Sequence, residues 1–426
     1  MFVKAVQFLK QQYLVFLHVL FLLFLFFIYK FSGLQQFNVN TYGFINFDAS
    51  WYYNLKENGY IYTEGAQSNS GFYPTFSFIW KLTGFSTLGI SIFNALIFLS
   101  SLVLLKYEFK LSKKESLLLL SLPSCMFFFV PYTEALFFLS STILLVGIKK
   151  EKNVLILIGI FFSCLIRPVW VIFVPILIFF YLIPKKKYLI GSLNIFILLL
   201  ACFVPFFIVT LIQWLETGIW FAHSTAQIKY WDHCFHIPHF PLTTWGGPRI
   251  LWLDGVAFWI GILSSVICLL IFFGKNTLTR ISTPLLFSFC YLSCTTFVVL
   301  FLNGYNEEGK TTVLSLNRYF FATPFFFLAF LQFLRLPPVS KKRTALLILS
   351  LIGVWILFGA YTSIDWYNRT KTIIYFSILT LSVLGYFLIL NNKWMLEKRI
   401  WILLYIANCM LQAYLFFRFL SGNWVG

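Results

Sequence analysis

The sequence predicts an all-α, polytopic transmembrane helical bundle, and three observations predict it. Sixty per cent of the 426 residues are hydrophobic and only 11% are charged. A soluble domain carries about 25% charged residues, so this chain would lack a polar surface in water. Apolar stretches recur along the whole length, and a spanning helix needs about 20 mostly apolar residues. Basic residues gather at alternate turns between these stretches. The expectation is a single integral domain over residues 1–426 with about 11–13 spans, outer-face loops and short interfacial helices.

The segments, in order, are 13–32, 86–105, 116–130, 134–148, 153–167, 169–183, 188–212, 251–273, 281–302, 318–336, 344–362, 372–390 and 400–419. The first is not a cleaved signal peptide by its features. It is long, contains Lys30, lacks a small-residue cleavage site and is followed by many more spans. The segments between residues 116 and 183 are short, about 15 residues against the 20 expected. They tilt, bend at Pro123, Pro168 or Pro175, or enter part-way.

Charge orients the map. With the N-terminus inside, the inner segments 1–12, 106–115, 149–152, 184–187, 274–280, 335–343 and 391–399 hold 21 of the 32 Lys and Arg. Their acids are only Glu108, Glu115, Glu151 and Glu397. This bias follows the positive-inside rule, so the net charge of +18 reports membrane orientation and not nucleic-acid binding. The long loops 33–85 and 213–250 fall on the outer side, which makes that face the functional one. The expected location is a bacterial inner membrane with a periplasmic site, or the ER membrane with a lumenal site in a eukaryote. Among the cysteines only Cys234 lies in an outer loop, so no outer disulfide has an evident partner. Asn368-Arg369-Thr370 matches a glycosylation sequon close to the membrane.

Few polar residues interrupt the apolar pattern, and these carry the chemistry. In FINFDASWYYNLKENGY, residues 44–60, a short helix starts near Asp48 and ends at Gly59. Asp48 either caps that helix or is held ready for catalysis. Trp51 and Leu55 share a face suited to the membrane interface. SGFYPTF, with Tyr73 and Pro74, returns the chain to the membrane. VPYTEALF places Glu134, and CLIRPVW places Arg167, at the outer ends of short helices. They form a structural ion pair, or they are functional, because burying an ionisable group in a membrane is costly. Alternatively Arg167 snorkels to the interface. SLNRYFFATPFFF puts Arg318 at the outer end of another span, to snorkel or to hold a lipid phosphate through its planar fork. The loop GIWFAHSTAQIKYWDHCFHIPHFPLTTWGG carries four of the five histidines with Lys229, Asp232 and Cys234. His233, Cys234, His236 and His239 match no standard zinc spacing. Interleaved aromatics fit a substrate-facing or interfacial loop.

FDASWYYNLKENGY, the Tyr-Pro return, PYTEALF, LIRPVW, TGIWFAH and LNRYFFATPFFF, in this order, resemble the GPI mannosyltransferase II (PIG-V-like) family of GT-C glycosyltransferases. The resemblance covers most of residues 44–330; the His-rich loop and the high Phe content depart from it. It implies a GT-C-like fold with a catalytic acid in the first outer loop, and transfer of a hexose, often mannose, from a polyprenyl-phosphate sugar. The acceptor is a lipid, glycan or protein.

The residues suit that chemistry. Polyprenyl phosphate is a good leaving group, so one carboxylate suffices to take the acceptor proton. Asp48 is the candidate base, and a single displacement inverts the anomeric carbon. Arg318, Arg167 and Lys229 are candidates to stabilise the departing phosphate. Glu134, Trp51, Tyr52, Tyr73 and Asp232 are supporting candidates. The four aspartates form no Asp-x-Asp pair of the kind that holds metal on a nucleotide sugar, which favours a lipid-phosphate donor. No cofactor is called for, and a divalent metal is compatible. The alternatives are a polyprenyl-linked glycan flippase, for which internal repeats and midplane charges are expected but not seen, and a periplasmic glycan polymerase or ligase.

Overall fold

The computed structural model describes residues 2–32, 41–183, 194–245, 247–274, 281–302, 305–307, 310–336, 339–358, 366–391 and 396–426. The protein is α-helical, as composition predicts. In an apolar slab every backbone N–H and C=O must be satisfied internally, and helices do this within one segment. Among the described residues five helices are long and apolar enough to cross a membrane: Thr87–Phe109, Ile195–Thr217, Arg249–Phe272, Thr283–Phe301 and Ile400–Leu420. A sixth span arises if Pro123–Phe129 and Glu134–Lys150 are taken together. Asn153–Ile166, Trp170–Leu182 and Pro324–Leu334 are shorter apolar helices, and apolar stretches Phe16–Phe31 and Ile373–Phe387 lie within the longer helices Phe2–Phe31 and Trp366–Asn391. A two-stranded antiparallel ribbon, Tyr305–Glu307 with Lys310–Thr312, is added to them.

Segments 116–130 and 318–336 are each divided, the first after helix Lys113–Leu120 at Pro123, one of the bends its sequence allows. Pro123 opens a 3-10 turn, Pro123–Phe129, and the chain then bends by 106° before helix Glu134–Lys150 begins. The break exposes carbonyls that a membrane cannot satisfy, and Asn94 satisfies them. Its amide donates to Val130 O at 2.8 Å and Tyr132 O at 2.9 Å from inside helix Thr87–Phe109. The segment 318–336 likewise divides into Leu316–Phe321 and Pro324–Leu334, with Thr323 capping the second through Phe326 N. Pro168 sits in the break between Asn153–Ile166 and Trp170–Leu182, and Pro175 lies inside the latter.

Close helix packing comes from small residues. A Cβ on Gly159 would stand 2.6 Å from Leu144 Cα, so helices Glu134–Lys150 and Asn153–Ile166 touch backbone to backbone there. Ser140 and Ser163 bond across the same interface at 2.9 Å.

Charged groups collect at the two ends of this core. At one end Glu108 pairs with Lys149 and Lys150, and Arg335 Nε donates to Glu115 at 2.7 Å. Ser112 and Glu115 form a reciprocal capping box that orients the Glu115 carboxylate. At the other end lie Glu134, Arg167, Arg318 and Asp48. Helix Glu134–Lys150 joins the two layers; its 17 residues rise about 25 Å, close to the hydrocarbon thickness of a bilayer. Of the basic inner segments, 184–187, most of 274–280 and much of 391–399 lie outside the described residues, as do the side chains of Asn368 and Arg369.

Candidate active site

The long loop after the first helix builds the floor of the site. Helix Asp48–Asn58 ends at Gly59, whose φ of 71° lies in the left-handed region that glycine adopts freely. Asp48 is not its cap. Phe47 occupies the N-cap position and no side chain caps the helix. Asp48 belongs to the first turn, where the helix dipole favours an anion, and its carboxylate is drawn away to Arg318. The face bearing Leu55 does not lie on the membrane surface either. Leu55 is buried, and Trp51 packs on Phe72 at 6.0 Å and on Trp231 at 5.6 Å. Burial inside the protein removes more apolar area from water than an interfacial position does.

Tyr52 fixes this helix to the next. Its ring is buried edge-on to Phe72 and Phe76, at 5.2 and 5.4 Å, and its carbonyl accepts from Ser77 Oγ at 2.9 Å. Asn46 ties the helix entrance to the last helix, Leu396–Leu420, donating to Phe419 O at 2.7 Å.

The two long loops that the sequence predicts clamp together. Gln213 donates to Ser70 O at 2.8 Å, Gln227 to Gly71 O at 2.6 Å, and Tyr60 N to Glu216 Oε2 at 2.5 Å. Tyr73 stacks edge-on against His223 with ring centroids 4.9 Å apart. Burial pushes the His223 imidazole down from 6.5 to about 4, and His233, bonded to Gln227, down to about 4 as well. Between these values the unfolded chain binds protons that the native state does not. The contribution of these two groups to stability is therefore present above pH 6.5 and is lost as pH falls toward 4. The thermal midpoint of the detergent-purified protein is expected to drop over this window, and His223→Phe to flatten the drop. Parallel declines in both proteins would exclude His223 as its source.

At the centre four charged side chains from four parts of the chain meet. Arg167, the residue closing helix Asn153–Ile166, donates from Nη2 to Glu134 Oε1 at 2.9 Å. Arg318 donates from Nη2 to Asp48 Oδ2 at 2.6 Å, and its Nε lies 3.1 Å from Glu134 Oε1. Arg318 thus bridges both acids. Its guanidinium lies 4.9 Å from the ring centres of both Tyr132 and Tyr319. Arg167 lies 5.0 Å from the Tyr319 ring, and Arg318 also donates to Tyr319 Oη at 3.1 Å. Rings holding cations in this way supply attraction that water would otherwise give.

Exposure separates the two acids. The Glu134 side chain is 1% exposed and that of Asp48 17%. Glu134 is the internal counter-charge, with Oε2 left unpartnered, and Asp48 is the carboxylate that a molecule from outside can reach. Arg318, at 3% exposure, does not snorkel. In comparisons with known proteins, no family model, no curated protein and no solved structure matches the chain.

Asp48, Glu134, Arg167 and Arg318 come together, with Tyr52 packed beside them. Trp51 and Tyr73 stand one layer out, in the seam between the loops. Lys229 and Asp232 are exposed on the second loop and make no ion pair among the described residues, because helix Ala222–Tyr230 turns its Ala222 and Ala226 face inward. Among the described residues no group of three or more His, Cys, Asp or Glu converges as a metal site. Tyr132 and Tyr319 escape sequence reasoning. They sit in the motifs of Glu134 and Arg318, but an aromatic among so many aromatics gives no signal. Asp254 does give one: it is an acid within the apolar segment 251–273.

Proposed function

We propose that this chain is an integral-membrane glycosyltransferase that transfers a hexose, mannose by the family resemblance, from a polyprenyl-phosphate sugar to a hydroxyl acceptor at the outer membrane surface. The observation that carries this reading is the Asp48–Arg318 pair. A reachable carboxylate is bonded to a buried guanidinium at one end of an apolar bundle. The isoprenoid tail lies among the apolar helices, and its phosphate arrives at the ionic layer. The about 11–13 spans, the inside N-terminus and the periplasmic or lumenal site belong to the same proposal.

At rest Asp48 is held by Arg318. A donor phosphate competes for the Arg318 fork, which bonds phosphate in the same two-point manner as a carboxylate. Asp48, released from its cation, then faces the acceptor hydroxyl. The acceptor oxygen attacks C1, Asp48 takes the hydroxyl proton, and the C1–O bond to phosphate breaks with its electron pair leaving on polyprenyl phosphate. Arg318 and Arg167 hold the charge that develops there. Glu134 keeps both guanidiniums fixed without facing the substrate.

The test is transfer by the purified protein from a polyprenyl-phosphate hexose, beside the variant Arg318→Lys. Lysine keeps the charge and loses the fork, so the variant is expected to fold and to use donor at least about tenfold less well, the factor that corresponds to one charge-assisted hydrogen bond. Wild-type transfer matched by Arg318→Lys would remove Arg318 from the donor site.

A further inference from the structure

We propose that Asp254 is a positioning residue for Arg318. Asp254 is fully buried in helix Pro248–Phe272, in the apolar body of the protein. Its Oδ1 accepts from the backbone N of Asn317 at 2.8 Å and from Asn317 Nδ2 at 2.9 Å. One carboxylate oxygen therefore grips both the main chain and the side chain of the residue immediately before Arg318.

The local chain needs such a grip. It enters helix Leu316–Phe321 through Ser315, whose φ of 59° lies in the left-handed region that a non-glycine residue adopts at a cost. The helix has six residues, too few to hold itself by its own hydrogen bonds. Asp48 and Glu134 hold the Arg318 guanidinium directly; the Asp254 grip fixes the main chain from which Arg318 projects, and so the angle at which its fork meets Asp48 and a phosphate.

A purely structural role accounts poorly for the choice of residue. Asn317 Oδ1 is buried without a partner, the Thr244 hydroxyl is the other polar group beside Asp254, and no described cation pairs with Asp254. Burying a carboxylate in this state is unfavourable, and an apolar residue of similar volume would stabilise the bundle better. What the carboxylate adds is direction: it sets the backbone N–H of Asn317, hence the Cα–Cβ vector of Arg318, hence the Asp48 carboxylate that Arg318 Nη2 holds at 2.6 Å. The inference rests on the proposed glycosyltransferase reading only for its effect on turnover; the geometry is independent of it.

The test reads arginine position directly. The full-length protein in detergent is treated with phenylglyoxal, which modifies accessible guanidinium groups, and modification is followed peptide by peptide by mass spectrometry. In Asp254→Leu the Arg318 peptide is expected to react about tenfold faster than in wild type, the factor that corresponds to losing hydrogen bonds to a charged group. Arg167, held by Glu134 and not by Asp254, is expected to keep its wild-type protection. Asp254→Asn retains the Oδ1 acceptor and is expected to restore most of the protection at Arg318. Asn317→Ala removes one of the two bonds without new bulk and is expected to give the same change in smaller measure, which keeps the test available where Asp254→Leu does not fold. Unchanged Arg318 reactivity in the folded variants overturns the proposal. So does a joint rise at Arg318 and Arg167, which marks general loosening. Sugar transfer is measured on the same samples, with kcat expected to fall and donor KM to rise. A wild type that transfers no sugar while the Arg318 labelling responds as described would overturn the function and leave the positioning role standing.

Discussion

Asp48→Asn is expected to lower sugar transfer by about 10²–10⁴-fold, the contribution of a positioned general base, with a smaller loss of thermal stability than Glu134→Gln causes. Asparagine matches aspartate in shape and still accepts from Arg318 Nη2 through its amide oxygen, but it cannot take the acceptor proton. The pair it replaces has one partner partly exposed, Asp48 at 17%, so the loss of charge there is less severe than in a sealed interior. The capping explanation predicts a different outcome. Asparagine caps as well as aspartate does, so a cap would leave both stability and transfer intact. Phe47 already occupies the cap position. Transfer and thermal midpoint are measured together on the purified variant with a polyprenyl-phosphate hexose. A stable Asp48→Asn protein with wild-type turnover would falsify the assignment of Asp48 as base. Donor binding, read separately by equilibrium dialysis of a labelled donor, is expected to persist or tighten, because the variant no longer competes with phosphate for Arg318 by charge.

Glu134→Gln is expected to have the largest effect on stability. Glu134 is 1% exposed and faces the guanidiniums of Arg167 at 2.9 Å and Arg318 at 3.1 Å. Removing its charge leaves two buried cations with Asp48 alone for compensation. Breaking a buried pair from one side costs about 3–5 kcal/mol, a large part of the about 5–15 kcal/mol that holds a typical domain together. The double variant Glu134→Gln with Arg167→Gln again has balanced charge, and it is expected to recover part of the stability lost in the single variant. Such recovery is the mark of direct coupling in a double-mutant cycle. The measurement is the thermal midpoint of the three variants and the wild type in one detergent. A Glu134→Gln protein that melts with the wild type would show that water or lipid headgroups already screen this cluster.

The amino-acid sequence by itself determined the membrane class. Apolar runs with so little charge have no soluble alternative, and hydrogen bonding in hydrocarbon leaves helices as the form they take. It also determined the short helix from Asp48 to the glycine at its end, since a left-handed C-terminal residue is a local requirement. The ionisable residues Glu134, Arg167 and Arg318 were legible because charge inside apolar sequence is rare and has to be satisfied. Their pairing was only partly legible. Glu134 and Arg167 lie 33 residues apart on neighbouring helices, so a pair between them could be read as one of two outcomes. Asp48 and Arg318 are 270 residues apart, and no local pattern relates them. The fold also overruled two local readings of Asp48–Asn58, the cap and the interfacial face, since a buried guanidinium and an aromatic seam outweigh a capping bond of about 1 kcal/mol. Asn94, Asp254, Tyr132 and Tyr319 acquire their roles only through helix packing. Each acts on a partner that the three-dimensional arrangement, and not sequence proximity, brings within reach. Tertiary structure therefore decided which charges meet, because ion pairing depends on distances of a few ångströms that helix propensity and hydropathy do not encode.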